Sequence, residues 1–203
     1  MPLLLEQIVN STTKLAVWHI TETESFFSRH VSVQRQITHP HKRLQHLAGK
    51  YLLQFLYPDF PHQLIMIADT KKPFLENEAY HFSISHSGDY AAAIVSTDHR
   101  VGLDVELYSP KVKKIMHKFL REDELAKLKP SGLKELTTLW SAKEAIFKWY
   151  GQGDVDFKEN ICMDEMGQGV IEGRFVKEDS QKFEVNYVIM DEIVLAYTYS
   201  PAS

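Results

Sequence analysis

The chain has 203 residues, of which 44% are hydrophobic and 25% charged, a balance that excludes a disordered chain, a collagen and a small disulfide scaffold. Its 23 basic and 27 acidic side chains leave a net charge of −4. That argues against a general nucleic-acid binder while leaving room for a local basic site. The length fits one large domain or two halves of about 100 residues each.

The single cysteine, Cys162, excludes an intramolecular disulfide and suits a reducing cytoplasm. With no histidine near it in sequence, it reads as a bystander thiol. The apolar stretch Met1–Leu5 meets Glu6 at once, too short for a signal-peptide core or a membrane span. A cytoplasmic protein with no membrane partner is expected.

In chain order, Leu15–Ile20 reads as a buried strand. Thr21 and Glu24 form a capping-box pattern that opens a helix containing Phe26, Phe27 and Val31. Pro40 resets the chain. Leu44, Leu47, Ala48, Tyr51, Leu52, Phe55 and Leu56 then make one apolar helical stripe that Pro58 stops. Lys42, Arg43, His46 and Lys50 fall mostly off the stripe and taken alone are a solvated face. Gly49 in mid-helix costs about 1 kcal/mol against alanine, which suggests a close approach to the backbone there.

His81–Ser96 reads as a hairpin turning at Ser87-Gly88-Asp89, and Val101–Leu107 as another strand. Lys111–Lys129 is helical with a break near Arg121–Asp123. Leu133–Tyr150 is a long helix closed by Gly151. Residues 154–199 are several strands, with Phe183, Val185, Tyr187 and Ile189 alternating before a turn at Asp191–Glu192. Helices and strands recur in both parts, so the expectation is an α+β fold of two similarly built halves divided near residue 100.

Four stretches carry chemistry. In Val101-Gly102-Leu103-Asp104-Val105-Glu106, strand alternation sends the three apolar residues to one face and Gly102, Asp104 and Glu106 to the other. Two carboxylates on one face need a cation or solvent. By itself this is a half-exposed strand with its polar side outward. In Trp140-Ser141-Ala142-Lys143-Glu144-Ala145-Ile146-Phe147-Lys148, the residues Trp140, Glu144 and Lys148 share a helix face. An ordinary Glu–Lys pair of about 0.2–0.5 kcal/mol accounts for two of them. The alternative groups Glu144 with Asp104 and Glu106 around Mg²⁺, an oxygen-seeking cation that keeps several waters, with Lys143 or Lys148 on a phosphate. The stretch Phe82–Gly88 carries His86 at a strand end, and Lys71-Lys72-Pro73-Phe74 sets two cations before a rigid turn. Each has a structural explanation of its own, as a hydrogen-bonding histidine and a surface loop.

Taken in order and spacing, the stretches Lys71–Pro73, Ile84–Ser87, Val101–Glu106 and Trp140–Lys148, with Gly151-Gln152-Gly153 after them, resemble the 4'-phosphopantetheinyl transferase superfamily. The length resembles its monomeric, synthetase-activating type. The resemblance implies two pseudo-symmetric halves, each a small antiparallel sheet packed with helices, with the active site in the cleft between them. It places the coenzyme contacts in residues 1–100 and the metal and Lys-Glu motifs in residues 101–203.

It also implies an activity: transfer of the 4'-phosphopantetheine arm of coenzyme A to a serine of an acyl or peptidyl carrier protein, with release of adenosine 3',5'-bisphosphate. By resemblance, Asp104, Glu106 and Glu144 hold Mg²⁺, Glu144 or a metal-bound water is the base, and Lys148 with Lys143 neutralises phosphate. Ser83, Ser85 and His86 contact coenzyme A. Lys71, Lys72 and Pro73 lie near its adenosine and 3'-phosphate, and Arg43 and Lys50 are further phosphate contacts. One departure stands out: Lys71 occupies the place of a glycine, whose backbone freedom a lysine lacks. A non-catalytic module binding coenzyme A or a carrier protein is the competing reading.

Overall fold

The computed structural model describes residues 2–32, 37–177 and 179–202; Met1, at the head of the apolar N-terminus, lies outside them. The chain is α+β and divides into two compact units, Met1–Val101 with Ser200–Ser203, and Gly102–Tyr199. The sequence suggested one cut near residue 100. The last residues belong with the first unit, where Ala202 N–H donates to the Asp98 carbonyl at 2.9 Å.

In the first unit, β1 (Leu3–Asn10), β2 (Thr13–His19), β5 (His81–Ser87) and β6 (Tyr90–Ser96) form an antiparallel sheet in the order β1-β2-β6-β5. The β5–β6 turn is tight because Gly88 takes a φ of 55°, which glycine supplies without a Cβ penalty. Helix α2 (Pro40–Leu56) buries Leu47, Ala48, Leu52 and Leu53 in one core with Trp18, Phe82, Ala91 and Ala93 of the sheet. A Cβ on Gly49 would stand 2.5 Å from Ile84 Cγ2, so the mid-helix glycine lets α2 lie directly on β5. A two-stranded hairpin, β3 (Ile65–Ile67) with β4 (Pro73–Leu75), completes the unit.

One expectation fails here. The capping box at Thr21 and Glu24 is absent: helix α1 spans only Glu24–Ser28, behind Thr23. The Glu24 carboxylate is taken instead by Arg43, at 2.8 Å from Nε and 2.7 Å from Nη2. Strand β1 was not foreseen. As an edge strand it leaves Leu4 and Ile8 exposed, which blurs the alternation that marks a strand.

A second sheet, most of it in the second unit, joins β7 (His99–Leu107), β8 (Ile161–Met166), β9 (Val170–Val176), β10 (Ser180–Ile189) and β11 (Ile193–Pro201) in the order β7-β11-β10-β9-β8. The predicted helix break falls at Leu120–Arg121, between α3 (Lys111–Phe119) and α4 (Glu122–Leu128). Helix α5 spans Leu133–Tyr150 and ends on Gly151 at φ 68°. It buries Leu139, Ala142, Ala145, Ile146 and Trp149 in one core with Ile161, Ile171, Phe183 and Val185. No helix of the described residues is long and apolar enough to cross a membrane.

Candidate active site

The site of the second unit is built where β7 meets α5. A Cβ on Gly102 would overlap the Ala145 carbonyl oxygen and lie 2.6 Å from the Trp149 nitrogen. Glycine therefore lets the strand backbone lie against the helix backbone. The next two residues on that strand face, Asp104 and Glu106, are carried along α5. The half-exposed strand that six residues suggested is not what forms. Val101, Leu103 and Val105 are buried on one side, and Asp104 is only 3% exposed on the other.

Each carboxylate meets a helix side chain. Asp104 Oδ1 accepts from Lys148 Nζ at 2.7 Å. Asp104 Oδ2 accepts from Ser141 Oγ at 2.9 Å, and that hydroxyl also lies 3.3 Å from the Asp104 carbonyl. Glu106 Oε1 accepts from Trp140 Nε1 at 3.3 Å. Glu144 lies on the same helix face. Burial, then the Asp104 charge, then that of Glu106 push its carboxyl up to about 7, against an opposing pull from Lys148. The cluster thus holds three carboxyl groups near one ammonium.

That imbalance suits a hard divalent cation, which takes oxygen ligands and would relieve the repulsion. The donor chemistry fits Mg²⁺. Among the described residues no three His, Cys, Asp or Glu side chains already converge as a metal-binding group; Asp104 is turned instead to Lys148 and Ser141.

Lys143 departs from its expected place at the phosphate. Its side chain is 0% exposed and its ammonium is enclosed by acceptors: the carbonyls of Phe119 at 2.6 Å, Phe157 at 3.0 Å and Ile161 at 2.6 Å. The Glu124 carboxylate lies at 2.9 Å. Glu124 in turn accepts from the backbone N–H of Arg121 and of Met163. An ammonium has three donors, and these acceptors account for all of them.

The remaining candidates lie in the first unit. The Lys71 backbone takes a φ of 67°, so the lysine adopts the left-handed conformation that a glycine would take freely, and its side chain is exposed. Lys72 is half-buried, and burial together with Arg100 pulls its ammonium down to about 8. Pro73 opens β4. Ser83 and Ser85 are buried on one face of β5, and His86 is exposed on the other.

The two helix cations are not the solvated pair that the stripe suggested. Arg43 is fastened to Glu24 and donates from Nη1 to the Ile37 carbonyl at 3.0 Å. Lys50 is 5% exposed with Nζ 3.4 Å from the Ser32 carbonyl, and burial lowers its pKa. Sequence reasoning missed Ser141 and Arg100. Ser141 stands three residues before Glu144, a spacing that puts both on the β7 side of α5.

Residues 100–198 match the family described as the 4'-phosphopantetheinyl transferase superfamily. In that segment the chain is similar to this superfamily. It is 34% identical over 113 residues to the 4'-phosphopantetheinyl transferase gsp of Aneurinibacillus migulanus, covering 53% of this chain and 46% of that protein. Against the 4'-phosphopantetheinyl transferase psf-1 of Bacillus pumilus the identity is 38% over 79 residues, 37% of this chain and 34% of the relative. Against enterobactin synthase component D of Escherichia coli (strain K12) it is 27% over 161 residues, 76% and 75% of the two chains. The chain thus spans less than half the length of the first two relatives. The superfamily segment contains Asp104, Glu106, Glu144 and Lys148. Arg43, Lys50, Lys71, Lys72, Pro73, Ser85 and His86 precede it.

Proposed function

We propose that the protein is a 4'-phosphopantetheinyl transferase. The observation that carries this reading is the carboxylate-rich cluster of Asp104, Glu106 and Glu144 with Lys148, inside the segment that matches the superfamily. The reaction joins the serine oxygen of an acyl or peptidyl carrier protein to the phosphorus that bears the pantetheine arm of coenzyme A. The phosphorus–oxygen bond on the nucleotide side breaks, and adenosine 3',5'-bisphosphate leaves with the bonding electron pair.

The serine proton needs an acceptor. Glu144, on the helix face that meets Asp104 and Glu106, is assigned that role. Lys148, with 27% of its side chain exposed beside Asp104, is the cation assigned to a phosphate oxygen. Mg²⁺ held by Asp104, Glu106 and Glu144 would supply charge neutralisation at the pyrophosphate.

Coenzyme contacts in the first unit are assigned to Lys71, Lys72, Pro73, Ser85 and His86. Arg43 and Lys50 are left out, because their charged ends are engaged or buried. Lys143 is left out for the same reason. A monomer in the cytoplasm is the setting assigned to this activity; the one thiol, Cys162, is free and buried.

The test is intact-mass analysis of a panel of apo carrier proteins incubated with coenzyme A, Mg²⁺ and the protein. A gain of one phosphopantetheine arm on at least one carrier is expected. No gain on any carrier, with the protein stabilised against heat by coenzyme A plus Mg²⁺, would identify a binding module instead.

A further inference from the structure

Lys143 and Trp140 lie on α5 beside the carboxylate cluster, yet the proposed chemistry uses neither. They are connected. Lys143 Nζ donates to the carbonyls of Phe119 and Phe157. The rings of those two residues hold Trp140: Phe119 meets it edge-on at 5.0 Å, and Phe157 stacks on it at 5.5 Å with 20° between the planes. The indole, so held, directs its single N–H at Glu106 Oε1.

We propose that Lys143 is a positioning residue for Glu106, acting through Phe119, Phe157 and Trp140. This rests on the reading that Glu106 helps to hold Mg²⁺. A glutamate has three side-chain torsions to order on ligation, and each ordered torsion has an entropic cost. An indole N–H held by two rings fixes the position of Oε1 in advance. The backbone of Phe119 ends α3, and that of Phe157 lies in the segment between α5 and β8. Lys143 is a buried donor that ties the backbones of both residues to one point on α5. Partners that orient a metal ligand commonly change metal affinity by about 10–100-fold when removed.

The experiment compares the wild type with Trp140→Phe, with the double variant Glu124→Gln/Lys143→Met, and with the combination of all three changes. The double variant removes both charges of the buried pair, so that neither is left alone. Two readouts are taken. The first is the indole ¹H–¹⁵N resonance of Trp140, assigned by its loss in Trp140→Phe. The second is the half-saturating Mg²⁺ concentration, with kcat and KM for coenzyme A.

The double variant and Glu106→Gln are each expected to move the Trp140 resonance and leave that of Trp18 in place. Trp140→Phe and the double variant are each expected to raise half-saturating Mg²⁺ about tenfold with KM for coenzyme A within about twofold. The triple variant should be little worse than either, because residues acting in series are not additive.

An unmoved Trp140 resonance in the double variant overturns the proposal. So do additive Mg²⁺ effects, or a raised KM for coenzyme A with unchanged Mg²⁺ dependence, which would mark Lys143 as a phosphate ligand. If the double variant does not fold, Phe157→Leu, which removes only the stacked ring, is read by the same criteria. If the wild type transfers nothing, the functional reading has failed, and the indole resonance still decides whether Lys143 governs Trp140 and Glu106.

Discussion

Helix α5 carries two buried ionic clusters within two turns of each other, and they are built on opposite principles. Around Lys143 the charges balance: one ammonium and one carboxylate, Glu124, share a site in which three carbonyls and two backbone N–H groups supply every remaining partner. Around Lys148 they do not. Asp104, Glu106 and Glu144 crowd one partly exposed ammonium, and the Glu144 carboxyl is pushed up to about 7. A satisfied buried network fixes structure. An unbalanced one with a perturbed carboxyl marks a place where a charge, a proton or a cation is meant to arrive. Two lysines five residues apart on one helix thus do different work, and the difference lies in their acceptors rather than in the residue type.

The sharpest way to break this comparison is on the balanced side. Lys143→Met leaves Glu124 charged, buried and unpaired, and should cost about 3–5 kcal/mol of stability. Adding Glu124→Gln should restore most of it. Chemical denaturation measures both, and a Lys143→Met protein as stable as the wild type would mean that the network is not structural.

On the unbalanced side the sign reverses. The folded-state pKa of Glu144 is raised from 4.5 to about 7, so between those values the native state holds a proton that the unfolded state has released. Stability from this source is present below pH 4.5 and is lost as pH rises through 7. Glu144→Gln should therefore match the wild type near pH 4.5 and exceed it at pH 8 by about 1–2 kcal/mol, allowing for solvent screening. Melting the two proteins across that range checks the sign. A variant less stable than the wild type at pH 8 would place Glu144 among the structural charges. The smallest effect belongs to Ser141→Ala, which removes the hydroxyl beside Asp104 Oδ2 and should cost about 1 kcal/mol, read as a shift in the denaturation midpoint.

Most of the unbalanced cluster was legible in the sequence, because it obeys two periodicities. Asp104 and Glu106 alternate on a strand, and Trp140, Glu144 and Lys148 repeat on a helix. The balanced cluster was not. Three acceptors of Lys143 are backbone carbonyls, at Phe119, Phe157 and Ile161, and a carbonyl leaves no mark in the amino-acid code. Lys50 misled for a related reason: it lies off the apolar stripe of α2 yet is buried, since helix position alone does not say which neighbours cover a side chain. The ends of α5 and the α3–α4 break were readable from Gly151 and the Arg121–Asp123 stretch. The capping box was not, because Arg43, 19 residues away, claims the Glu24 carboxylate.

The most direct test of the distinction is the transfer rate of Asp104→Ala, measured by carrier mass on protein whose melting curve is also recorded. The account predicts transfer reduced by about 10²–10³-fold in a protein that still melts cooperatively. Full transfer by a folded Asp104→Ala variant would contradict it.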